Sequence, residues 1–243
     1  ADAGNYQLAT TLSGNVGTIT QASLNIAAAA STKIYDGTVS ATAAPTYTGT
    51  IYDAYTLSET YDTKNAGTGN TLTPVITFTN ASDAANYAVT TQTANGTITQ
   101  ATLTTGLTGT VEKVYNGTKE ATLTSGNYSA LSGIIGSDVV SLNVATSGTY
   151  DTKNVGSGKK VTVSDLALGG ADAGNYQLAT TLSGNVGTIT PATLTITAND
   201  ASKTYDKVPY SGGNGVTGSG FVAGEGFLDL GGAVSYSGDA QRA

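Results

Sequence analysis

The sequence predicts an all-β protein built from tandem modules, and three observations predict it. Residues 1–20 return letter for letter as residues 171–190, which is the mark of an array whose modules share one architecture. Apolar residues alternate with polar ones at period two in short bursts, and no window carries them at helical spacing over a helical length. Gly (32 of 243 residues) and Thr are abundant, while Val, Ile, Leu and Tyr arrive in strand-length runs, a mixture suited to short strands and tight turns.

Three markers advance together along the chain. The first is Tyr35-Asp36-Gly37-Thr38, then Tyr115-Asn116-Gly117-Thr118, then Tyr205-Asp206-Lys207-Val208, spaced 80 and 90 residues apart. The second is Tyr61-Asp62-Thr63-Lys64-Asn65, which returns 89 residues later as Tyr150-Asp151-Thr152-Lys153-Asn154. The third is an Asn-Tyr element at Tyr6, Tyr87 and Tyr176, spaced 81 and 89. Each Gly-Thr-Ile-Thr is followed by one Gln or Pro before the next apolar run, which places boundaries near Gln21, Gln100 and Pro191. Residues 1–20 are then the closing strands of a preceding module. Residues 21–100 and 101–190 are whole modules, and 191–243 opens another without finishing it. Joints one residue long leave little freedom, so the expected assembly is a stiff rod.

Within a module the elements follow from pattern and turn chemistry. Asn95-Gly96 is a strong hairpin signal, and Ser183-Gly184-Asn185 marks the corresponding turn of the second module. Val161, Val163, Leu166 and Leu168 alternate with one slip, which predicts a bulge. Tyr176, Leu178 and Thr180 alternate without a slip. Asp172-Ala173-Gly174-Asn175-Tyr176 is similar to the tyrosine corner of immunoglobulin-type domains, in which a Tyr opening the penultimate strand bonds back to the preceding loop. About seven strands in ~80–90 residues fit a small antiparallel immunoglobulin-like β-sandwich. A β-grasp-like module is the alternative.

Composition removes several functional classes. A net charge of −7 disfavours nucleic acid, which needs a Lys/Arg surface, and also an anionic membrane. His, Cys, Met and Trp are all absent, so Ser-His-Asp and Cys-His nucleophiles, disulfides and His or thiolate metal sites cannot be built. No apolar run reaches the ~20 residues of a membrane span.

Few residues invite a chemical role. Asp36, Asp62, Asp151 and Asp172 lie beside Gly, Asn or Thr and read as turn and capping residues, with calcium bound by loops at the joints as the alternative. Lys64-Asn65 and Lys153-Asn154 have the residue types of an isopeptide bond, but strand neighbours point to opposite faces, so exposed turns are expected. Tyr47, Tyr52 and Tyr55, with Tyr61 nearby, form the candidate ligand patch, since exposed tyrosines stack on sugars or fill a partner's pocket. Tyr52 and Tyr55, three apart, would face opposite sides of one strand. Asn80, Asn95, Asn116 and Asn127 open Asn-x-Ser/Thr tripeptides. No cofactor is expected.

The markers resemble those of the YDG repeat domains in haemagglutinin-like, two-partner-secreted bacterial adhesins. The resemblance rests on Tyr35 to Thr38, on Tyr150-Asp151-Thr152-Lys153-Asn154-Val155-Gly156-Ser157-Gly158 and on residues 171–190. The tail, from Lys203 through Pro209-Tyr210 to Val216 and from Ser219 to Glu225, resembles the sister MBG repeat. Asn116, Lys207 and Ala84-Ala85 depart from the pattern, and the departures touch turn geometry only. The resemblance implies a non-catalytic stalk in an extracellular, surface-attached or biofilm-supporting adhesin, whose partners are neighbouring repeats and a host or matrix receptor. Two other expectations stand beside it: a glycan- or receptor-binding module using Tyr47, Tyr52 and Tyr55, and a filament in which copies complete one another head to tail by strand donation.

Overall fold

The computed structural model of the chain describes residues 3–7, 14, 17–208, 210 and 212–232. The protein is all-β, with short 3-10 turns between strands. It divides into two compact units. Unit 1 is Ala1–Ala101 together with Gly174–Tyr176, and unit 2 is Thr102–Ala173 together with Gln177–Ala243.

Unit 1 contains β1 (Ala22–Ala27), β2 (Thr32–Ile34), β3 (Thr46–Thr48), β4 (Tyr55–Tyr61), β5 (Gly67–Phe78), β6 (Tyr87–Gln92) and β7 (Ala94–Thr99). They form a three-stranded sheet, β3-β1-β6, and a four-stranded sheet, β2-β7-β5-β4. The second sheet gains an edge from residues 39–41: Tyr61 N–H donates to Val39 O and Ala41 N–H to Glu59 O. Alternation in β4 turns Glu59 and Tyr61 inward, while β5 buries Leu72 and Phe78. Leu24, Ile26, Phe78 and Tyr87 form one core cluster. Fully buried side chains of this size each contribute ~1.5–3 kcal/mol.

In unit 2 the strands are β9 (Val111–Val114), β10 (Glu120–Thr122), β11 (Ser141–Asn143), β12 (Ser147–Tyr150), β13 (Gly156–Val163), β14 (Ala167–Gly169), β16 (Leu182–Thr190), β17 (Thr195–Ala198) and β18 (Val216–Ser219). Two-residue strands, β8 (Ala101–Thr102) and β15 (Tyr176–Gln177), lie where the chain passes between units. The main sheet runs β10-β12-β13-β16-β9. Its edge strands β9 and β10 are consecutive in sequence and lie against each other, so the sheet curls toward a barrel. Val111, Ala121, Leu123, Tyr150, Val161, Val163 and Ile189 fill it.

Both units repeat one topology with the same device at the same place. Strand β5 slips register around Gly69 (φ +77°), and β13 slips around Gly158 (φ +63°). Glycine in the left-handed region lets each strand bulge at no steric cost.

Three sequence expectations differ from the structure. The sheets are not purely antiparallel, since β1 pairs β6, β2 pairs β7 and β9 pairs β16 in parallel. Long excursions separate these partners, which is what a parallel return requires. Asn95-Gly96 makes no hairpin: both residues lie inside β7, and Ser183-Gly184-Asn185 likewise lies inside β16. Gly96 and Gly187, the glycines of the two Gly-Thr-Ile-Thr strands, serve by their missing side chains. The slip after Val163 is a turn at Asp165 (φ +62°), with the bulges elsewhere. The Tyr87 hydroxyl donates to Asp53, 34 residues upstream, at 2.9 Å. Of the closing strands expected in residues 1–20, the described part shows a 3-10 turn at Ala3–Asn5. Residues 17–20 are described and are not in a strand; residues 8–13 and 15–16, and residues 233–243 on which a strand-donating filament depends, lie outside the described residues.

Candidate functional site

The Tyr-Asp-Gly marker is a turn gripped by a lysine two residues before the tyrosine. In unit 1, Lys33 Nζ donates to Asp36 Oδ1 (2.7 Å), Thr38 O (2.8 Å) and Thr38 Oγ1 (3.1 Å). Asp36 Oδ1 also accepts from Thr38 N–H (2.9 Å) and the Thr38 hydroxyl (2.8 Å). In unit 2, Lys113 Nζ makes the same three bonds to Asn116 Oδ1 (2.9 Å), Thr118 O (2.7 Å) and Thr118 Oγ1 (3.1 Å). Lys203 repeats two of them, to Asp206 (2.8 Å) and Val208 O (3.1 Å).

The substitution of Asn for Asp has an electrostatic cost. Burial works to raise the Asp36 carboxyl, but the bonds from Lys33 and Thr38 outweigh it and hold the group below its usual range. Lys113 faces a neutral amide, so burial depresses its ammonium, with Glu120 only partly opposing.

The glycine at the turn's third position is needed for its conformation, φ +77° at both Gly37 and Gly117. Lys207 holds that place in the tail at φ +66°. A left-handed non-glycine residue costs ~1–2 kcal/mol, partly offset by the lower entropy of its unfolded state. Lys207→Gly is therefore expected to stabilise the β17–β18 pair by about 0.5–1 kcal/mol. Hydrogen exchange at the amides of these strands checks this, and unchanged or faster exchange there would refute it.

The lysine joins the first marker to the second. Lys33 Nζ sits 5.5 Å from the centre of the Tyr61 ring, and Lys113 Nζ 5.3 Å from that of Tyr150, within cation–π range. Each ring in turn lies on a glycine. A Cβ built on Gly96 would fall 2.5 Å from Tyr61 Cε1, and one on Gly187 would fall 2.7 Å from Tyr150 Cε1. Lysine, tyrosine and glycine thus form one stack in each unit, and the Gly-Thr-Ile-Thr runs at Gly96 and Gly187 need glycine there.

The tyrosine of the turn faces a socket on the other side. In unit 1, Tyr35 packs edge-on against Tyr176 with ring centres 5.4 Å apart, and Lys64 Nζ lies over the Tyr35 ring at 6.0 Å. Ala66 N–H donates to Asn175 Oδ1 (2.9 Å), Asn175 Nδ2 approaches Asn65 Oδ1 (3.4 Å), and Gln100 Nε2 donates to Gly174 O (3.0 Å). Asn175 is buried to 5% exposure. Gly174-Asn175-Tyr176, which belong to the second repeat by sequence, thus sit in the compact unit of the first.

Unit 2 keeps the socket and changes the guest. Lys153 Nζ lies 6.0 Å over Tyr115, and the Tyr115 hydroxyl and Lys153 Nζ (3.0 Å) both donate to Glu225 Oε1. Val222 fills the space above Gly117, where a Cβ would lie 2.7 Å from its Cγ1.

Among known protein families, the YDG domain profile matches the chain twice, over residues 20–94 and 99–183. The chain belongs to the YDG domain family. No curated protein and no solved structure matches it significantly.

The grip and the stack of these YDG domains were missed from sequence. The signal for the grip was present: a Lys stands two residues before the Tyr in all three markers, at Lys33, Lys113 and Lys203. The four turn carboxylates each accept a backbone N–H, Asp36 from Thr38, Asp62 from Thr71, Asp151 from Thr152 and Asp172 from Val139. Lys64-Asn65 and Lys153-Asn154 are turns, and both lysines additionally cover a socket tyrosine.

The tyrosine patch assembles in part. Tyr47 and Tyr55 meet edge-on at 5.7 Å, and the Tyr55 hydroxyl donates to Tyr47 (2.8 Å). That bond, then burial, raises the Tyr55 hydroxyl above its usual pKa. Tyr52 precedes β4, so the strand-face argument does not apply to it. Its N–H donates to the Tyr87 hydroxyl, and the residue is 80% exposed.

The Glu225 guest makes the tail's docking sensitive to pH. Hydrogen bonds from Tyr115, then Lys153, hold the Glu225 carboxyl below its ordinary 4.5. A depressed acid contributes stability above its unfolded value and loses it as pH falls through the folded one. The Glu225 hydrogen bond likewise raises Tyr115 above 10.0 and Lys153 above 10.5, so their contribution is lost as pH rises through the raised values. Protection of the backbone around Val222 and Glu225 is expected to hold between these limits and to fall off in acid. The Ala66–Asn175 bond does not titrate, so flat protection at both sockets across the acid range would refute this.

Proposed function

We propose that these YDG domains are spacer repeats of a large extracellular bacterial adhesin, non-catalytic and set at a fixed pitch to support surface attachment. Each is read as a small sandwich-like module in a tandem rod. The observation that carries the reading is the socket. In unit 1 the Tyr35, Asn65 and Ala66 surface is closed by Gly174-Asn175-Tyr176, and in unit 2 the Tyr115 and Lys153 surface is closed by Val222 and Glu225. A turn that is completed by residues of the following repeat joins neighbours over a second region besides the covalent link, which suits an array whose stability is a sum of unit and nearest-neighbour terms.

Small-angle scattering tests it on the 243-residue chain and on a chain carrying one further copy of residues 101–190. The spacer reading expects a constant increase in maximum dimension per copy and background binding to cells and glycans. The exposed Tyr52 beside the Tyr47–Tyr55 pair favours a second reading, a carbohydrate platform. Glycan binding by the chain alone, abolished by Tyr52→Ala without loss of stability, would replace the spacer reading with that one.

A further inference from the structure

The first two turns differ at one position that chemistry can change without an enzyme. We propose that Asn116 is a site of spontaneous intramolecular deamidation, which converts the Asn turn of the second YDG domain into the Asp turn of its sisters.

The residue after Asn116 is glycine, so no Cβ hinders attack by its backbone nitrogen. Asn116 Oδ1 accepts from Thr118 N–H at 3.1 Å. That bond joins the side-chain carbonyl to the amide two residues on, an Asx turn that spans the Gly117 peptide nitrogen. Two further donors, Lys113 Nζ at 2.9 Å and the Thr118 hydroxyl at 3.0 Å, converge on the same oxygen. When the Gly117 nitrogen adds to Cγ, negative charge develops on Oδ1, where three donors are already placed. This is the arrangement that stabilises tetrahedral intermediates of acyl transfer.

The step balances with water as the sole co-reactant. The Gly117 N–H gives its proton to solvent, the N–Cγ bond forms, and the Cγ–Nδ2 bond breaks with ammonia leaving after it takes up a proton. The five-membered imide is then opened by water at either carbonyl, which leaves an aspartate or its isoaspartyl isomer in place of Asn116. Asn116 is exposed, so water reaches it.

Of the other two Asn-Gly pairs, Asn214-Gly215 is exposed, and Asn95-Gly96 is the built-in control. Asn95 and Gly96 lie within β7, paired with Thr71 and Asn70. Gly96 is buried beneath Tyr61, so ring closure there requires the strand to leave its sheet. The aspartate product would place a carboxylate in the position where Asp36 receives Lys33 at 2.7 Å and Thr38 at 2.9 and 2.8 Å. The isoaspartyl isomer lengthens the backbone by one carbon and displaces Thr118 from this position.

The test ages the purified full chain in mildly alkaline buffer and maps peptides by mass spectrometry, with Asn116→Asp as the reference for the product. Asn116 is expected to convert well ahead of Asn95. Thr118→Val, which removes one donor and keeps the backbone amide, is expected to slow conversion of Asn116 roughly tenfold, the upper end of one hydrogen bond's net worth, and to leave Asn95 unaffected. Lys113→Met should slow it further, and Thr118→Val carries the test if that variant does not fold. Conversion at Asn95 as fast as at Asn116, or a Thr118→Val rate equal to or above that of the parent chain, overturns the proposal.

Discussion

Tyr150→Ala is expected to destabilise unit 2 by about 3–5 kcal/mol, the range for removing a large buried aromatic side chain. The ring is 2% exposed and belongs to the main core cluster. Its loss also leaves Lys113 Nζ without the face it lies against at 5.3 Å, and removes the donor to Val111 O at 2.8 Å. Tyr150→Phe separates these effects. It keeps ring and stack and loses only the hydroxyl bond, so about 1 kcal/mol is expected. Native-state hydrogen exchange reads each unit by its own amides, with unit 1 as the in-chain reference. An alanine variant no less stable than the phenylalanine variant would show that the ring does not support the sheet.

Gly96→Ala is expected to cost unit 1 about 2–3 kcal/mol, near the upper end for forcing an extra carbon into a packed interior. The new Cβ would lie 2.5 Å from Tyr61 Cε1, 2.8 Å from Leu72 Cδ1 and 3.0 Å from the Ser31 carbonyl oxygen. The ring and the leucine can shift, but the backbone oxygen cannot without disturbing β2. In a Tyr61→Leu background the same substitution should cost much less, because the ring that requires the glycine is gone. Equal costs in the two backgrounds, read as a double-mutant cycle, would mean that backbone conformation and not the ring demands glycine there.

These two expectations locate what could and could not be read from the chain. The tandem order was legible, because Tyr, Asp, Lys and Asn recur as letters at long, consistent intervals. Strand character was legible in Val161, Val163 and Ile189, since alternation follows directly from strand geometry. The glycines misled. Asn95-Gly96 has the residues of a hairpin, and local chemistry has no access to Tyr61, far upstream, whose ring occupies the place of the missing side chain. Interior packing also escaped sequence comparison. Glu59 is buried with Oε2 accepting from Ala29 N–H, and strand register matches it to Gly148 in the second repeat. There Leu123 crowds the glycine, a Cβ lying 3.0 Å from Leu123 Cδ1. Leu123, just past β10, thus occupies space that a side chain at position 148 would need.

By itself the sequence determined an acidic, histidine- and cysteine-free all-β array, because composition and period are properties of the letters and their spacing alone. Tertiary structure decided the rest: parallel pairings across long excursions, the placing of Lys33 and Lys113 on the next marker's tyrosine, and the capture of Asn175 and Tyr176 by Tyr35 and Ala66. Each joins residues that chain distance separates and strand register brings together, and that register is set by burial of whole faces at once, which no local stretch encodes.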